Sequence, residues 1–297
     1  MGIEDDFFLT NLELRESTET GELASGLSHA SMKGMVLLTV LELAARGVPK
    51  GAVTVLHDAG DTGERYRALA SDLAERGFAV ALPDLRGHGR TEGDRGHSNG
   101  LAEIERDIQE IQDHLAYRMP DDRKILIGVG LGANYAASFA VRHPEVLFAL
   151  VLLSPLHDPN FVAPPEPRGL GKLFKKVTPR SEGSTGYSAD ALTSRPGQAT
   201  AWSANELTHE VITVRAIEEA RRSAALDLPK VGTLGLPVLL LHGEDDELAS
   251  VERTRALAGG TVDVQTFEGQ RHHLLHDGRS ADVRAKIAEW LSAKMDA

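Results

Sequence analysis

The sequence predicts an α/β protein with a doubly wound, mostly parallel sheet and an inserted cap, on three observations. Short apolar runs alternate with helical periodicity from about residue 35 onward. Several runs, such as ILIGV and VLLLH, are continuous, and one long proline-rich segment interrupts the alternation. Continuous runs are typical of strands covered on both faces. Repeated strand, helix and strand units build a parallel sheet with helices on either side.

Seven apolar runs predict the strands of this sheet: Met35–Leu43, Ala52–His57, Phe78–Leu82, Lys124–Val129, Phe148–Leu153, Pro237–His242 and Thr261–Phe267. Two faces of helical spacing stand out between and after them. The first comprises Ile104, Ile108, Ile111 and Leu115, and the second comprises Val283, Ile287, Trp290 and Leu291. Apolar residues at such spacing predict helices that pack one side against the sheet.

The 297 residues divide into an arm, a core and a cap. Residues 1–30 have weak patterning and predict an N-terminal arm, whereas 31–155 and 231–297 carry the alternating pattern of the core. Residues 156–230 contain seven prolines, among them Pro164, Pro165, Pro167, Pro179 and Pro196, and a helical stretch at Ala204–Ala224. The segment is too long and irregular for a simple loop. We expect this segment to cover the carboxyl edge of the sheet, where open α/β folds bind their ligands.

Composition excludes several classes of function. There is no cysteine, so disulfides, thiolate catalysis, cysteine-ligated zinc and iron–sulfur clusters are ruled out. With 32 basic and 44 acidic residues, the net charge of −12 argues against nucleic-acid binding. No apolar run is long enough to span a bilayer, and the acidic start MGIEDDFFLT is unlike a secretory signal. We therefore expect a cytoplasmic protein whose partner is a small molecule.

Several blocks in order resemble the α/β-hydrolase superfamily, specifically its monoacylglycerol lipase and lysophospholipase branch, which is similar to serine aminopeptidase S33. The resemblance is densest at 57–93, where Arg-Tyr, Gly-Phe-Ala-Val and Asp-Leu-Arg-Gly-His-Gly match the branch. It implies the α/β-hydrolase fold and carboxylic-ester hydrolysis. The block PVLLLHGEDD resembles the strand that bears the family's acid, which implies that role for Asp246. The block FEGQRHH resembles the loop of the catalytic histidine, which implies that role for His272.

The nucleophile of this superfamily stands on a strand-to-helix elbow written Gly-x-Ser-x-Gly. Here the elbow reads Gly128-Val129-Gly130-Leu131-Gly132, so Gly130 occupies the serine position and the covalent acyl-enzyme route is closed there. A glycine adopts the strained elbow conformation without the usual cost. The Gly-x-Gly-x-Gly-Ala elbow also resembles, over 127–155, the NDRG proteins, a hydrolase-fold family without a catalytic serine.

A second departure concerns the oxyanion hole. The branch has His-Gly at the end of the second predicted strand, where this chain has His57-Asp58. By position, the backbone N–H groups of Ala59 and Leu131 are the oxyanion donors. An Asp58 carboxylate that points inward would repel a developing oxyanion. We expect His57, Asp58 and the elbow glycines 128 and 132 to lie beside the pocket.

Three functions remain open from the sequence. In the first, the protein is non-hydrolytic and binds a small apolar or acyl ligand under the cap, with Asp246 and His272 as inherited structure. In the second, His272 oriented by Asp246 acts without a nucleophile, either activating water or abstracting a proton in a lyase, isomerase or cyclase reaction. In the third, the protein is a carboxylic-ester hydrolase like its family.

Three further patterns have weaker support. The run Gly128-x-Gly130-x-x-Ala133 fits a dinucleotide fingerprint, but Leu153-Ser154 ends the next strand where an acidic ribose ligand belongs, so no nucleotide cofactor is predicted. The histidines at 272, 273 and 276 are spaced too poorly to converge on a metal, and none is expected. Residues 169–180 mix lysines with apolar residues, which indicates a solvated basic face or a peripheral contact with lipid headgroups.

Overall fold

The computed structural model describes residues 6–15, 35–118, 123–165 and 176–296. Eight strands form one sheet in the order β1-β2-β4-β3-β5-β6-β9-β10. Its strands are β1 (Phe7–Arg15), β2 (Met35–Leu43), β3 (Gly51–Leu56), β4 (Phe78–Pro83), β5 (Arg123–Val129), β6 (Ala149–Leu153), β9 (Val238–Gly243) and β10 (Val262–Phe267). The strands β1 and β2 run antiparallel to their neighbours, and the others are parallel. This confirms the predicted mostly parallel sheet.

Helices cover both faces of the sheet, as the continuous apolar strands require. The helices are α1 (Arg67–Ala74), α2 (Leu101–Arg118), α3 (Leu131–Arg142), α4 (Ala189–Leu192), α5 (Pro196–Ala204), α6 (Val214–Leu226), α7 (Val251–Arg255) and α8 (Ser280–Met295). Alternate residues of β5 enter different cores: Ile125 and Ile127 pack with α1 and α8, whereas Leu126 packs with α2 and α3. The two predicted helical faces are buried, in α2 and α8 respectively.

Part of the predicted N-terminal arm belongs to the sheet. Within it, Phe7–Arg15 form the edge strand β1, which pairs with the whole length of β2. Its alternation is weak because one face is open to solvent: Leu9 remains 57% exposed while Leu14 is buried. The rest of the arm, at 1–5 and 16–30, lies outside the described residues.

The described residues of the segment between β6 and β9 contain a two-stranded antiparallel sheet and the helices α4, α5 and α6. The small sheet pairs β7 (Glu182–Ser184) with β8 (Val211–Thr213). The helical stretch predicted at Ala204–Ala224 is shorter in the structure, because α6 begins only at Val214. The hydroxyl of Thr213 caps α6 by accepting the N–H of Ala216, and the residues before it pair as β8. Of the basic stretch 169–180, only 176–180 are described.

Candidate active site

The turn between β5 and α3 has a backbone conformation suited to glycine. Gly130 has φ 54° and ψ −117°, a region that other residues occupy only with strain. A Cβ atom built on Gly130 would lie 2.1 Å from both Cγ and Oδ1 of Asp58. The carboxyl group of Asp58, which follows β3, therefore fills the space that a side chain on this turn would need.

The first carboxylate oxygen of Asp58 lies between the two backbone amides that the sequence predicts as oxyanion donors. Oδ1 accepts the N–H of Ala59 at 2.7 Å and the N–H of Leu131 at 2.7 Å. The hydroxyl of Tyr187, which comes from the cap segment, donates to the same oxygen at 3.4 Å. Because Asp58 itself occupies these donors, its negative charge stands where an oxyanion would have to form.

The second oxygen of Asp58 faces two histidines. Oδ2 lies 3.1 Å from Nε2 of His272 and 3.2 Å from Nε2 of His273. On its other side, His272 places Nδ1 at 2.8 Å from Oδ2 of Asp246. The imidazole of His272 is thus fully buried between two carboxylates, with both ring nitrogens in use.

These carboxylates decide the charge of His272. Burial opposes an imidazolium, but the charge and hydrogen bond of Asp246 and those of Asp58 outweigh it and raise the pKa of His272 to about 10. At neutral pH the ring is therefore protonated and donates from both nitrogens. A protonated imidazole has no lone pair with which to act as a general base.

The two carboxylates remain ionised for the complementary reason. Burial would raise the pKa of the Asp58 carboxyl, yet the hydrogen bonds and charges of His272 and His273 hold it well below its ordinary value. The pKa of Asp246 is likewise lowered against burial by His272 and by His242, whose Nε2 lies 3.0 Å from Oδ2. We call Asp58, Asp246, His272 and His273 the polar cluster.

Two contacts hold the histidine loop against the core and cap. The hydroxyl of Ser154, just after β6, donates to the carbonyl oxygen of His272 at 2.8 Å. The N–H of His273 donates to the carbonyl of Leu192 in α4 at 2.8 Å. Ser154 has φ 45°, a backbone conformation that is strained in a residue other than glycine. The loop is therefore fixed from both sides, and the polar cluster is rigidly framed.

The remaining predicted site residues are structural in this arrangement. Nε2 of His57 accepts the N–H of Leu85 at 2.9 Å, so its imidazole holds the loop after β4. A Cβ on Gly128 would lie 2.4 Å from the carbonyl of Gly132, and one on Gly132 would lie 2.4 Å from the carbonyl of His57. The two elbow glycines let α3 start in close contact with β3 and β5.

The sequence analysis missed three contributors to the site. His273 is adjacent to the predicted histidine, and His242 ends the strand before the predicted acid, so both had a positional signal. Tyr187 had none, because it lies in an irregular part of the cap far along the chain. Among the described residues, no group of three or more His, Asp or Glu side chains is arranged to hold a metal ion.

A small cavity lies beside the polar cluster. Its walls include the oxyanion-position residues Ala59 and Leu131, with Leu85 and Ile104 from the core and Ile212 from the cap. The volume is about 10 Å³, which is room for about one water molecule. In this closed arrangement the space cannot contain an acyl chain.

The sheet order is that of an α/β-hydrolase fold, and the pair of Asp246 after β9 and His272 after β10 stands at one edge of this sheet. The chain belongs to the serine aminopeptidase S33 family, whose profile matches residues 47–279. Across the described ranges, no helix combines the length and apolarity needed to cross a membrane.

Similar proteins place the chain near the monoacylglycerol lipases. It is 25% identical to monoacylglycerol lipase of Mycolicibacterium smegmatis over 248 residues, which are 82% of this chain and 88% of that enzyme. It is 28% identical to monoglyceride lipase of Mus musculus over 275 residues, which are 84% and 85% of the two chains. The crystal structure of Paleococcus ferrophilus monoacylglycerol lipase superposes with a TM-score of 0.71 at 25% identity, over 86% of this chain and 99% of that one. The chain is therefore a monoacylglycerol lipase-like α/β-hydrolase.

Proposed function

We propose that this protein is a non-hydrolytic member of its family that binds a small apolar or acyl ligand under its cap. The observation that carries the first half is the position of the Asp58 carboxyl. One of its oxygens accepts both oxyanion-position N–H groups, and its Cγ lies only 2.1 Å from where the Cβ of a nucleophile at residue 130 would be. Gly130 supplies no nucleophile, and Asp58 excludes both the nucleophile and the oxyanion.

The second half of the proposal rests on the cavity beside the cluster. Its walls are mostly apolar and partly built by the cap residues Val211, Ile212 and Ala216. Since its volume admits about one water, an acyl ligand requires the β7–β8 sheet and α6 to move outward. Apolar walls of this kind suit a hydrocarbon chain, and burying it would stabilise the complex by roughly 25 cal/mol per Å².

A combined substitution tests the loss of hydrolysis. Gly130→Ser alone would place its Cβ against the Asp58 carboxyl, so we expect it to stay inactive. Asp58→Gly with Gly130→Ser removes that carboxyl, frees the amides of Ala59 and Leu131, and returns the His-Gly and Ser pattern that the family resemblance implies. We expect at least about 10²-fold more hydrolysis of a short-chain nitrophenyl ester than in wild type, since an elbow serine is worth up to about 10⁶-fold.

The controls separate the roles of the two residues. Asp58→Gly alone keeps the histidine and the amides but has no nucleophile, so it should match wild type. Adding His272→Gln to the double variant should abolish the gained activity. Wild-type hydrolysis that disappears in His272→Gln would overturn the proposal.

Ligand binding needs a separate measurement. A non-hydrolysable monoalkyl glycerol ether should raise the melting temperature of wild type, and Ala216→Trp, which fills the cavity from α6, should weaken that effect. The matched control is a substitution on the exposed side of the same helix, Arg221→Trp. If ethers of several chain lengths leave the melting temperature of wild type unchanged, the binding half of the proposal is wrong.

One observation favours a second candidate, a hydrolase whose nucleophile is Asp58. Oδ2 faces Nε2 of His272, and Oδ1 has the two amides that would stabilise a tetrahedral intermediate at Cγ. Attack of Oδ2 on an epoxide carbon would open the ring, leaving an alkyl ester on Asp58 and an alkoxide that takes the proton of His272. The neutral His272 would then deprotonate a water that attacks Cγ, which releases the diol and restores the carboxylate.

An isotope experiment distinguishes the two candidates. The wild-type protein is incubated with styrene oxide in H₂¹⁸O and then digested. The mass of the peptide that contains Asp58 is measured by mass spectrometry. A nucleophilic Asp58 acquires ¹⁸O from water with each turnover, whereas the non-hydrolytic protein gives a peptide of unchanged mass. We expect the unchanged mass, because both oxygens of Asp58 are buried and fully hydrogen-bonded.

A further inference from the structure

A second and much larger cavity opens on the side of the molecule where α1, α5 and α8 meet. Its volume is about 250 Å³. The polar side chains in its walls are those of Arg65, Tyr66, Arg195, Gln198, His276, Ser280 and Arg284. It shares no lining residue with the small cavity under the cap. A ligand here would therefore be recognised independently of the function proposed above.

The charge of this cavity is the opposite of the charge of the protein. Three guanidinium groups line it, and no described lining residue carries a carboxylate, although the chain as a whole has a net charge of −12. An arginine side chain has five N–H donors and no acceptor. A wall rich in donors and free of carboxylates attracts an anion and repels a cation.

The three guanidinium groups retain unused donors. Arg65 uses Nη1 in an ion pair with Asp61 at 2.9 Å, and Arg284 uses Nε in an ion pair with Asp72 at 2.6 Å. Within the described part of the chain, Arg195 makes no ion pair. Its guanidinium is the uncompensated positive charge of the cavity. The pairs of Arg65 and Arg284 hold those two groups in fixed positions beside it.

His276 lines the same cavity with its partly exposed ring. Its Nε2 atom is buried and has no hydrogen-bond partner in the described part of the chain. A buried polar atom left without a partner costs about 1–3 kcal/mol. The ring cannot readily turn away, because it packs edge-on against Tyr66 with centroids 5.4 Å apart. Because Nε2 is shielded from solvent, His276 contributes its ring to the wall of the cavity and not this nitrogen.

The size and the apolar walls of the cavity restrict the class of ligand that it can bind. A single inorganic anion would leave most of 250 Å³ unfilled, and Leu69 and Leu275 provide hydrocarbon surface beside the arginines. Planar guanidinium groups match phosphate oxygens two at a time. We propose that this cavity binds a small organic phosphate, with its phosphate held by Arg65, Arg195 and Arg284 and its organic part against Leu69 and Leu275.

Calorimetric titration at constant ionic strength tests the proposal with three probes: phenyl phosphate, inorganic phosphate and benzoate. We expect phenyl phosphate to bind at least fivefold more tightly than either of the others, because only it satisfies both the arginines and the leucines. Arg195→Ala should weaken the binding of phenyl phosphate at least about tenfold, since it removes the uncompensated charge without breaking an ion pair.

Arg221→Ala is the matched control, because it removes an exposed arginine from α6, outside the cavity. It should leave the affinity for phenyl phosphate unchanged. The ring-proton resonances of His276, which lines the cavity, should also shift on titration with phenyl phosphate. The proposal is overturned if phenyl phosphate shows no saturable binding at millimolar concentration, or if Arg195→Ala and Arg221→Ala bind it equally. Equal affinity for inorganic phosphate or benzoate would overturn the assignment to an organic phosphate.

Discussion

The polar cluster and the arginine-lined cavity lie close together, but charges are paired in the first and partly unpaired in the second. In the polar cluster every charge has a partner: Asp58 takes two amides and two histidines, and His272 lies between two carboxylates. In the cavity the charges are of one sign, and Arg195 has no ion-pair partner among the described residues. The contact of His276 with His273, at 5.9 Å between rings, connects the two regions.

The comparison shows that the region that resembles an active site and the region whose donors can bind a ligand need not be the same. A catalytic centre needs donors that wait for charge to develop in the transition state. Beside the polar cluster, the backbone N–H donors of Ala59 and Leu131 are already bonded to Asp58, and residue 130 is a glycine without a nucleophile. The arginine-lined cavity has no catalytic pattern, yet its donors are free to meet a ligand.

The largest expected effect comes from removing the central charge of the cluster. Asp58→Ala leaves two buried amides and two histidines without their acceptor, and we expect a loss of about 3–5 kcal/mol in the free energy of unfolding. Urea denaturation of both proteins measures it. Asp245→Ala, an exposed carboxylate next to Asp246, should change stability by less than about 0.5 kcal/mol. Equal effects would mean that the cluster is not a stabilising unit.

Gly130→Ala probes how tightly Asp58 closes the turn. The new Cβ meets both a positive φ and the Asp58 carboxyl, so we expect a cost above the roughly 1–3 kcal/mol of backbone strain alone. Gly235→Ala is the control, because Gly235 also has a positive φ, of 73°, but nothing lies within 4 Å of its Cβ position. Thermal unfolding that gives the same loss for both would show that Asp58 moves aside freely.

The pH dependence of stability tests the charges of the cluster. The pKa of His272 is raised from 6.5 to about 10, so its stabilisation is complete below pH 6.5 and is lost as the pH rises through about 10. The pKa values of Asp58 and Asp246 are lowered, so their stabilisation is present above about pH 4 and is lost as the pH falls.

We therefore expect the free energy of unfolding to decline above pH 6.5 by up to about 1.4 kcal/mol per pH unit. In Asp58→Asn the decline should end at a lower pH and be smaller in total, because Asp246 alone then raises the pKa of His272. Urea denaturation between pH 5 and pH 10 compares the two proteins. Parallel curves would mean that Asp58 does not set the charge of His272.

The smallest effect belongs to the other side of the comparison. Arg195→Ala breaks no ion pair within the described residues, and its side chain is exposed, so stability should change by less than about 0.5 kcal/mol. Thermal unfolding in phosphate-free buffer measures this. A loss above about 1 kcal/mol in the free energy of unfolding would show that Arg195 supports the fold. A loss of phosphate binding in Arg195→Ala would then have a structural cause.

Much of the fold could be predicted because buried parallel strands are written in continuous apolar runs. The predicted strand Met35–Leu43 has the observed bounds, and the others differ by a residue or two at their ends. The short strands β7 and β8 escaped prediction because their three residues each have no periodicity to detect. The edge strand β1 escaped because its solvent face dilutes the alternation.

The sequence predicted which residues belong to the site, but not the contacts that their side chains make. The resemblance implied Asp246 and His272, and their side chains do meet at 2.8 Å; their catalytic roles stay predictions. The sequence also raised the question of an inward Asp58. However, nothing in the spacing of residues 58 and 130 indicates that a carboxyl from one strand end fills the Cβ position of another. That contact depends on the parallel register of β3 and β5, which only the folded sheet defines.

The contact between Asp58 and Gly130 also has an evolutionary consequence. A chain with aspartate at 58 does not readily accommodate a serine at 130 by one substitution, because the first new atom lies against the carboxyl group. The reverse order first discards Asp58 and the buried ion pairs that depend on it. Each single step towards an elbow serine is therefore opposed by stability or by steric overlap, so the two positions would have to change together.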